Sequence, residues 1–287
     1  MIKILSKFIH RYSIFNPILR IIFPYFFDIQ SVNTLKRDTQ IIVSLSCGEE
    51  SFNTVEYTLY SIFNQKVSPD NVVLWISNKY ELSDLPYSIT KFVKEGLSIR
   101  FVEDKKSYTK IYYALKEYKN SIIVTADENI YYPKDWLSKL YLSYITSPED
   151  IHAHNVTKIN YDGHKILPYS DWKKHSNPET ASFNYFPIES GGILYPPECF
   201  LRDVLREDIY KKKINTSWDI WSWCLALASG RKIRLVKNHI KRLKSTNIIT
   251  SFLKYKNSLQ LYDKADKKIT QICEYYGKNI FPKLSTK

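Results

Sequence analysis

Between Gln40 and Val124 short apolar runs alternate with amphipathic ones, and this alternation limits the fold more than any other feature of the chain. Ile41–Ser46 (IIVSLS) reads as a strand, and Thr54–Gln65 carries helical apolar spacing through Val55, Leu59, Ile62 and Phe63. The turn Ser68-Pro69-Asp70 leads into a second strand, Val72–Ile76. A helix with Ile89, Phe92 and Val93 runs to Gly96, a natural helix stop, and the strand Leu97–Val102 follows. Ser107 caps a helix through Tyr118, and Ser121–Val124 is the central strand. Such a βαβαβαβ series folds as a mostly parallel sheet flanked by helices, an α/β architecture. At 287 residues, 44% hydrophobic and 25% charged, the chain can bury one substantial core.

Directly after the central strand comes Thr125–Trp136, TADENIYYPKDW, with three oxygen-bearing side chains in a row: Asp127, Glu128 and Asn129. Hard oxygen ligands suit Mg²⁺ or Mn²⁺. The carboxyl edge of an open α/β sheet is also where ligands bind. The plain alternative is an acidic turn before a helix that starts near Pro133. Neither GxGxxG nor GxxxxGK[ST] occurs, so a bound nucleotide would be held by side chains and strand ends. The net charge of +13 favours acidic partners: phosphorylated small molecules, anionic lipid or nucleic acid. The basic residues are spread along the chain without a nucleic-acid motif, so no nucleic-acid partner is expected. The four cysteines are far apart and without a CxxC pair, and three of them, in apolar contexts, read as buried free thiols of a reducing compartment.

Past the helix Pro133–Tyr144 the periodicity weakens. His152–Ile159 reads as a strand, and the polar, aromatic stretch Tyr161–Tyr185 as a long loop. In Glu189–Pro197 the pair Gly191-Gly192 allows close approach of backbone to a ligand, or a simple bulge. Ser217–Trp221 opens an apolar helix that ends at Gly230, and Asp219 in its first turn suits the helix dipole. From Arg231 the tail, with Lys237, Lys241, Arg242 and Lys244, reads as a basic, solvated arm.

Six segments in order, VSLS (Val43–Ser46), Leu59–Ser77, Ile99–Leu115, Ile122–Leu137, Gly191–Pro197 and Trp218–Gly230, resemble nucleotide-sugar glycosyltransferases of the GT-A fold. The likeness is to family 2 and to a bacterial family 2-like group of surface-polysaccharide synthesis, and it covers roughly 41–234. It implies a single GT-A-like (Rossmann-like) catalytic domain over 39–236, an amphipathic segment over 1–38 and a basic helical extension over 237–287. By the resemblance, Asp127-Glu128-Asn129 falls on the metal-binding acidic motif, with Asp127 and Glu128 at the nucleotide and Asp127 and Asn129 as metal ligands. Asn129 keeps an oxygen but lacks the usual charge. Asp219 falls on the general base, with Trp218 in place of a common acidic neighbour. Asp104 and Lys110 match positions near the nucleotide base and phosphates, and Ser44 and Ser46 the end of the strand that holds the nucleoside. Gly191, Gly192, Trp218 and Trp221 match the donor and acceptor pocket. The implied activity is inverting transfer of a hexosyl group from a nucleoside-diphosphate sugar, commonly a UDP-sugar, to a glycan or lipid-linked acceptor, with Mn²⁺ or Mg²⁺. The alternatives are a relative without catalysis and, more distantly, a nucleic-acid binder.

The segment Met1–Asp28 mixes Lys3, Lys7, His10, Arg11 and Arg20 with apolar residues, and Pro17 and Pro24 interrupt it. No apolar run approaches the ~20 residues of a membrane span. Basic residues with Phe, Ile and Leu at near-helical spacing suit the membrane interface, whereas the same apolar residues could also cover the protein's own core. A cytoplasmic protein, peripheral on the inner face of the plasma membrane, is the expectation. Each basic residue at an anionic surface is worth about 1 kcal/mol, so the full chain should sediment with phosphatidylserine vesicles at low salt and release as salt rises. Deleting Met1–Asp28 should abolish sedimentation and leave a folded protein; loss of folding would assign the segment to the core.

Overall fold

The computed structural model describes residues 29–162, 165–175, 180–214, 216–246 and 265–276. The amphipathic segment 1–28 lies outside the described residues. A seven-stranded sheet forms the centre, in the order β13-β6-β12-β4-β1-β2-β3. One part of it, at the right of this order, is β1 (Ile41–Ser46), β2 (Asn71–Ser77), β3 (Leu97–Val102) and β4 (Ile122–Thr125), all parallel. The other part, at the left, is β6 (Ile151–Ala153), β12 (Ile193–Tyr195) and β13 (Ile233–Leu235). The expected α/β fold, a mostly parallel sheet flanked by helices, is present.

Strand alternation divides the core. Ile41, Val43 and Leu45 of β1 pack with Val72, Leu74, Ile122 and Val124 against α1 (Val55–Ile62) and α4 (Trp136–Thr146). Ile42, Val73 and Ile123 face the other way, against α3 (Thr109–Glu117) and α5 (Trp218–Ala228). The period-2 pattern of a strand buried on both sides gives apolar runs rather than alternation, as IIVSLS shows. Between β2 and β3 the expected helix is a single turn, α2 (Tyr87–Thr90), followed by a 3-10 turn that Gly96 ends at φ 103°. Cys47, Cys199 and Cys224 are buried free thiols, and Cys273 is half-buried.

Three expectations change. The run His152–Ile159 is two strands, because the chain leaves the central sheet after Ala153 and β7 (Val156–Lys158) joins a second one. That second sheet, in the order β10-β7-β11, recruits β10 (Lys173–His175) and β11 (Tyr185–Pro187) from the stretch read as a loop. A two-stranded ribbon, β8 (Tyr161–Asp162) with β9 (Lys165–Ile166), lies in the same stretch. These strands are two or three residues long and pair at long range, so no local periodicity marks them. The basic arm also begins inside the fold. Ile233 and Leu235 of β13 are buried beside β6, and Arg234 turns out to Asp150 at 2.8 Å. Further on, β14 (Lys244–Ser245) pairs with β5 (Ile130–Tyr131), and α6 (Ala265–Tyr276) packs on α5 through Ile269 and Ile272. No described helix is long and apolar enough to cross a membrane.

The site depends most on β12, which runs antiparallel to both neighbours. Its first residue, Ile193, pairs with Thr125, the last residue of β4. The turn Glu189–Gly192 is thereby carried to the carboxyl edge of the sheet, next to the acidic stretch. Two contacts fix that turn. Trp136 Nε1 donates to the Gly191 carbonyl at 2.8 Å, and Gly192 takes φ 83° with its Cα against the Trp136 ring. A Cβ at Gly192 would lie 2.5 Å from Trp136 Cζ2. Gly192→Ala should therefore lower stability by about 3 kcal/mol, combining left-handed backbone with overpacking. Denaturant titration checks this, and a loss below about 1 kcal/mol would mean the turn is not held as described.

Candidate active site

Four elements bring residues to the same edge: the end of β4, the turn before β12 and the first turns of α3 and α5. Asp127 follows β4, and its backbone N–H donates to the Tyr132 hydroxyl at 2.8 Å, which fixes the direction of the stretch. Lys110, in the first turn of α3, reaches this edge from the third crossover. Its side chain is only 5% exposed, and Nζ lies 2.5 Å from Asp127 Oδ1 and 3.4 Å from Glu189 Oε2. Asp219 enters from the first turn of α5, half-buried and within the electrostatic reach of Lys110 and Asp127. Two carboxylates thus contact one ammonium, and a third, that of Asp219, lies within its electrostatic reach.

The electrostatics follow from that count. Burial, above all, pushes Asp219 up to about 6; Lys110 opposes the shift and Asp127 adds to it. Burial likewise drives Glu189 up to about 8, against Lys110 and with help from Asp219 and Asp127. For Lys110 burial works downward, but the Asp127 and Glu189 carboxylates outweigh it and hold the ammonium well above the usual lysine value. That acid and base both shift upward is consistent: Glu189 answers to two other carboxylates as well as to its lysine partner.

The remaining expected residues divide. Ser46 is half-buried at the open end of β1. Ser44 is fully buried and belongs to the framework: its hydroxyl donates to the Lys110 carbonyl and accepts from Trp75 Nε1 at 2.7 Å. The carboxylate of Asp104 accepts from the Lys106 N–H at 2.8 Å and from Lys106 Nζ at 2.9 Å, which closes the turn before α3. The indoles expected at the sugar pocket are core instead. Trp221 is fully buried and donates to the Val204 carbonyl, while Trp218 packs 4.4 Å from the Tyr108 ring. A helix buried on nearly every side leaves only Asp219 of its first turn partly open. Gly191 and Gly192 are required by Asn155 and Trp136, which fill the space a Cβ would need.

Asn129 does not fit the role of metal ligand. It is 3% exposed, and its Oδ1 accepts from Thr54 Oγ1 at 3.2 Å and Ser51 Oγ at 3.4 Å. Its amide donates to Ser51 Oγ and to Glu128 Oε1, both at 3.2 Å. The amide oxygen thus faces the Thr54 and Ser51 hydroxyls inside the fold. Asp127 is held by Lys110, and among the described residues no three His, Cys, Asp or Glu side chains converge to hold an ion. A divalent ion held between Asp127 and Asn129 therefore does not fit these residues. Glu189 and Tyr132 are site residues that the sequence did not single out. The available signal was a carboxylate placed two residues before a glycine pair.

No family model matches the chain, and no curated protein matches it in sequence. Among solved structures, S. aureus TarS (residues 1–349) is 16% identical, over 68% of this chain and 57% of that one, with a TM-score of 0.44. The inositol-1-phosphate CTP transferase of T. maritima is 13% identical, over 84% and 98%, with a TM-score of 0.42. The mannosyltransferase PcManGT from Pyrobaculum calidifontis, solved with GDP-Man and Mn²⁺, is 16% identical over 53% and 47%, with a TM-score of 0.34. The chain thus spans just over half the TarS fragment, and TM-scores of this size support no argument about activity.

Removing the ammonium should expose the balance of charge. Lys110→Met takes the ammonium away from the Asp127 and Glu189 carboxylates at this edge, and stability should fall by roughly 3–5 kcal/mol near neutral pH. Their carboxyl groups would then hold protons more tightly folded than unfolded, so the loss should shrink toward pH 5 and grow toward pH 8. A pH-independent loss in thermal denaturation would contradict this.

Proposed function

We propose that the protein is a glycosyltransferase that moves a sugar from a nucleoside-diphosphate donor to a hydroxyl acceptor with inversion. The observation that carries the reading is the meeting of Lys110, Asp127 and Asp219 at the carboxyl edge of the sheet. Sugar transfer needs a base for a weakly nucleophilic hydroxyl and a positive group where a diphosphate leaves. Asp219 supplies the first. Its raised pKa places it near the pH at which it must take a proton, so it is a stronger base than an exposed aspartate. Lys110 supplies the second: an always-charged ammonium, anchored by two carboxylates, faces the charge that gathers on the leaving phosphate. Asp127 orients Lys110 and marks the nucleotide end. Ser46, at the open end of β1, lies where the nucleoside would sit, with UDP as the favoured nucleotide.

The resemblance extends the proposal to a hexosyl donor, a glycan or lipid-linked acceptor and a place in surface-polysaccharide synthesis. A lipid-linked acceptor also agrees with the amphipathic segment 1–28 as a membrane-facing element at the cytoplasmic side.

Turnover of a panel of UDP-glucose, UDP-galactose, UDP-N-acetylglucosamine and GDP-mannose, read as release of nucleoside diphosphate, tests the reading. The wild-type rate should rise as pH passes through about 6, because Asp219 works only after losing its proton. Asp219→Asn should lower the rate by ~10²-fold or more and flatten that rise, with donor binding nearly unchanged. A variant with the wild-type rate would remove Asp219 from the role of base.

A further inference from the structure

The mechanism above leaves one ionisable group of the site without a task. Glu189 stands in a one-turn 3-10 helix between β11 and β12, and every neighbour fixes its place. Before it, the Ile188 N–H donates to the Asn155 carbonyl at 2.9 Å. After it, the Gly192 N–H returns to the Glu189 carbonyl at 2.7 Å, and Trp136 locks the glycines. The result of this rigid turn is a carboxylate delivered to the carboxyl edge, with Oε2 on Lys110 at 3.4 Å. Oε1 is covered and meets no hydrogen-bond donor among the described residues. A half-satisfied carboxyl group in a covered place is unfavourable by ~1–3 kcal/mol or more, and native proteins keep few of them. The terminal torsion of a glutamate is soft and exchanges its two oxygens, and the side chain stays 16% exposed, so a ligand can be met by either one.

Its position narrows what that ligand group is. Glu189 touches Lys110 on the diphosphate side and feels both Asp127 and the base Asp219. If Lys110 faces the leaving diphosphate and Asp219 the attacking hydroxyl, the part of the substrate that lies between them is the transferred sugar. We propose that Glu189 binds a hydroxyl of the donor sugar and so determines which sugar the site accepts. This rests on the nucleotide-sugar reading of the site and adds a specificity residue to it. Either protonation state serves, since a carboxylate accepts from a hydroxyl and a carboxylic acid can also donate to one.

Isothermal titration with the same four nucleotide sugars and with bare UDP and GDP decides the matter. Glu189→Ala should weaken the tightest-binding nucleotide sugar by ~10-fold or more, the usual effect of losing a hydrogen bond to an ionisable group. Bare UDP and GDP should bind as before. Discrimination between the epimers UDP-glucose and UDP-galactose should narrow. Glu189→Gln, which keeps the shape and a hydrogen-bonding end, should fall between Ala and wild type. It decides alone if Glu189→Ala does not fold, by whether its loss is confined to the sugar-bearing ligands. Equal losses for sugar-bearing and bare ligands would make Glu189 a structural residue and overturn the proposal, as would no change at all. Wild-type protein that binds nucleotide sugars while both Glu189 variants leave them unaffected refutes only this inference. Wild-type protein that binds none of the six refutes the transferase reading together with it.

Discussion

One ammonium shared among carboxylates sets the terms for the rest of this molecule. Lys110 is nearly out of solvent, with Asp127 at 2.5 Å and Glu189 at 3.4 Å. An isolated buried lysine would give up its proton; here the surrounding negative charge keeps it ionised. The converse also holds. Three acids in one covered place cannot all remain fully ionised beside a single lysine, and the pKa values of Asp219 and Glu189 rise accordingly. A carboxylate tuned by burial and a cation held at the same edge are what the proposed attack by a hydroxyl and departure of a diphosphate call for.

This cluster exists because of a reversal in the sheet. In an all-parallel arrangement the strand beside β4 would end where β4 ends, and the loop preceding it would lie at the opposite edge. With β12 antiparallel, the residues before it arrive beside Asp127. The reversal is stabilised by Trp136, which fills the space over Gly192 and bonds the Gly191 carbonyl. The glycine pair is thus a packing requirement in the first place, and its service to the site is to hold Glu189.

Aromatic residues do structural work here on a scale that composition alone could not apportion. Trp75 anchors Ser44, Trp221 anchors Val204, and Trp223 donates to the Tyr185 carbonyl that opens the last strand before the turn. Tyr108, Tyr210 and Trp218 pack ring to ring under α5. Trp221 and Trp223 both fill volume and satisfy a backbone oxygen, and Trp75 satisfies a buried hydroxyl, so these rings are spent inside and not on a ligand.

By itself the sequence determined the βαβαβαβ half, since Ile41–Ser46, Asn71–Ser77, Leu97–Val102 and Ile122–Thr125 are apolar runs separated by helical spacing. Local periodicity records burial, and these elements are long enough to show it. It also pointed to Asp127, Lys110 and Asp219 as residues with chemistry to perform. Only the tertiary structure decided that Asn129 bonds Ser51 and Thr54, that Ser44 belongs to the core, and that Trp218 and Trp221 turn away from the site. It also decided that Glu189 completes the cluster and that Ile233–Leu235 closes the sheet. Each of these depends on which distant strand a short segment pairs with, and a pairing of two or three residues leaves no periodic trace along the chain.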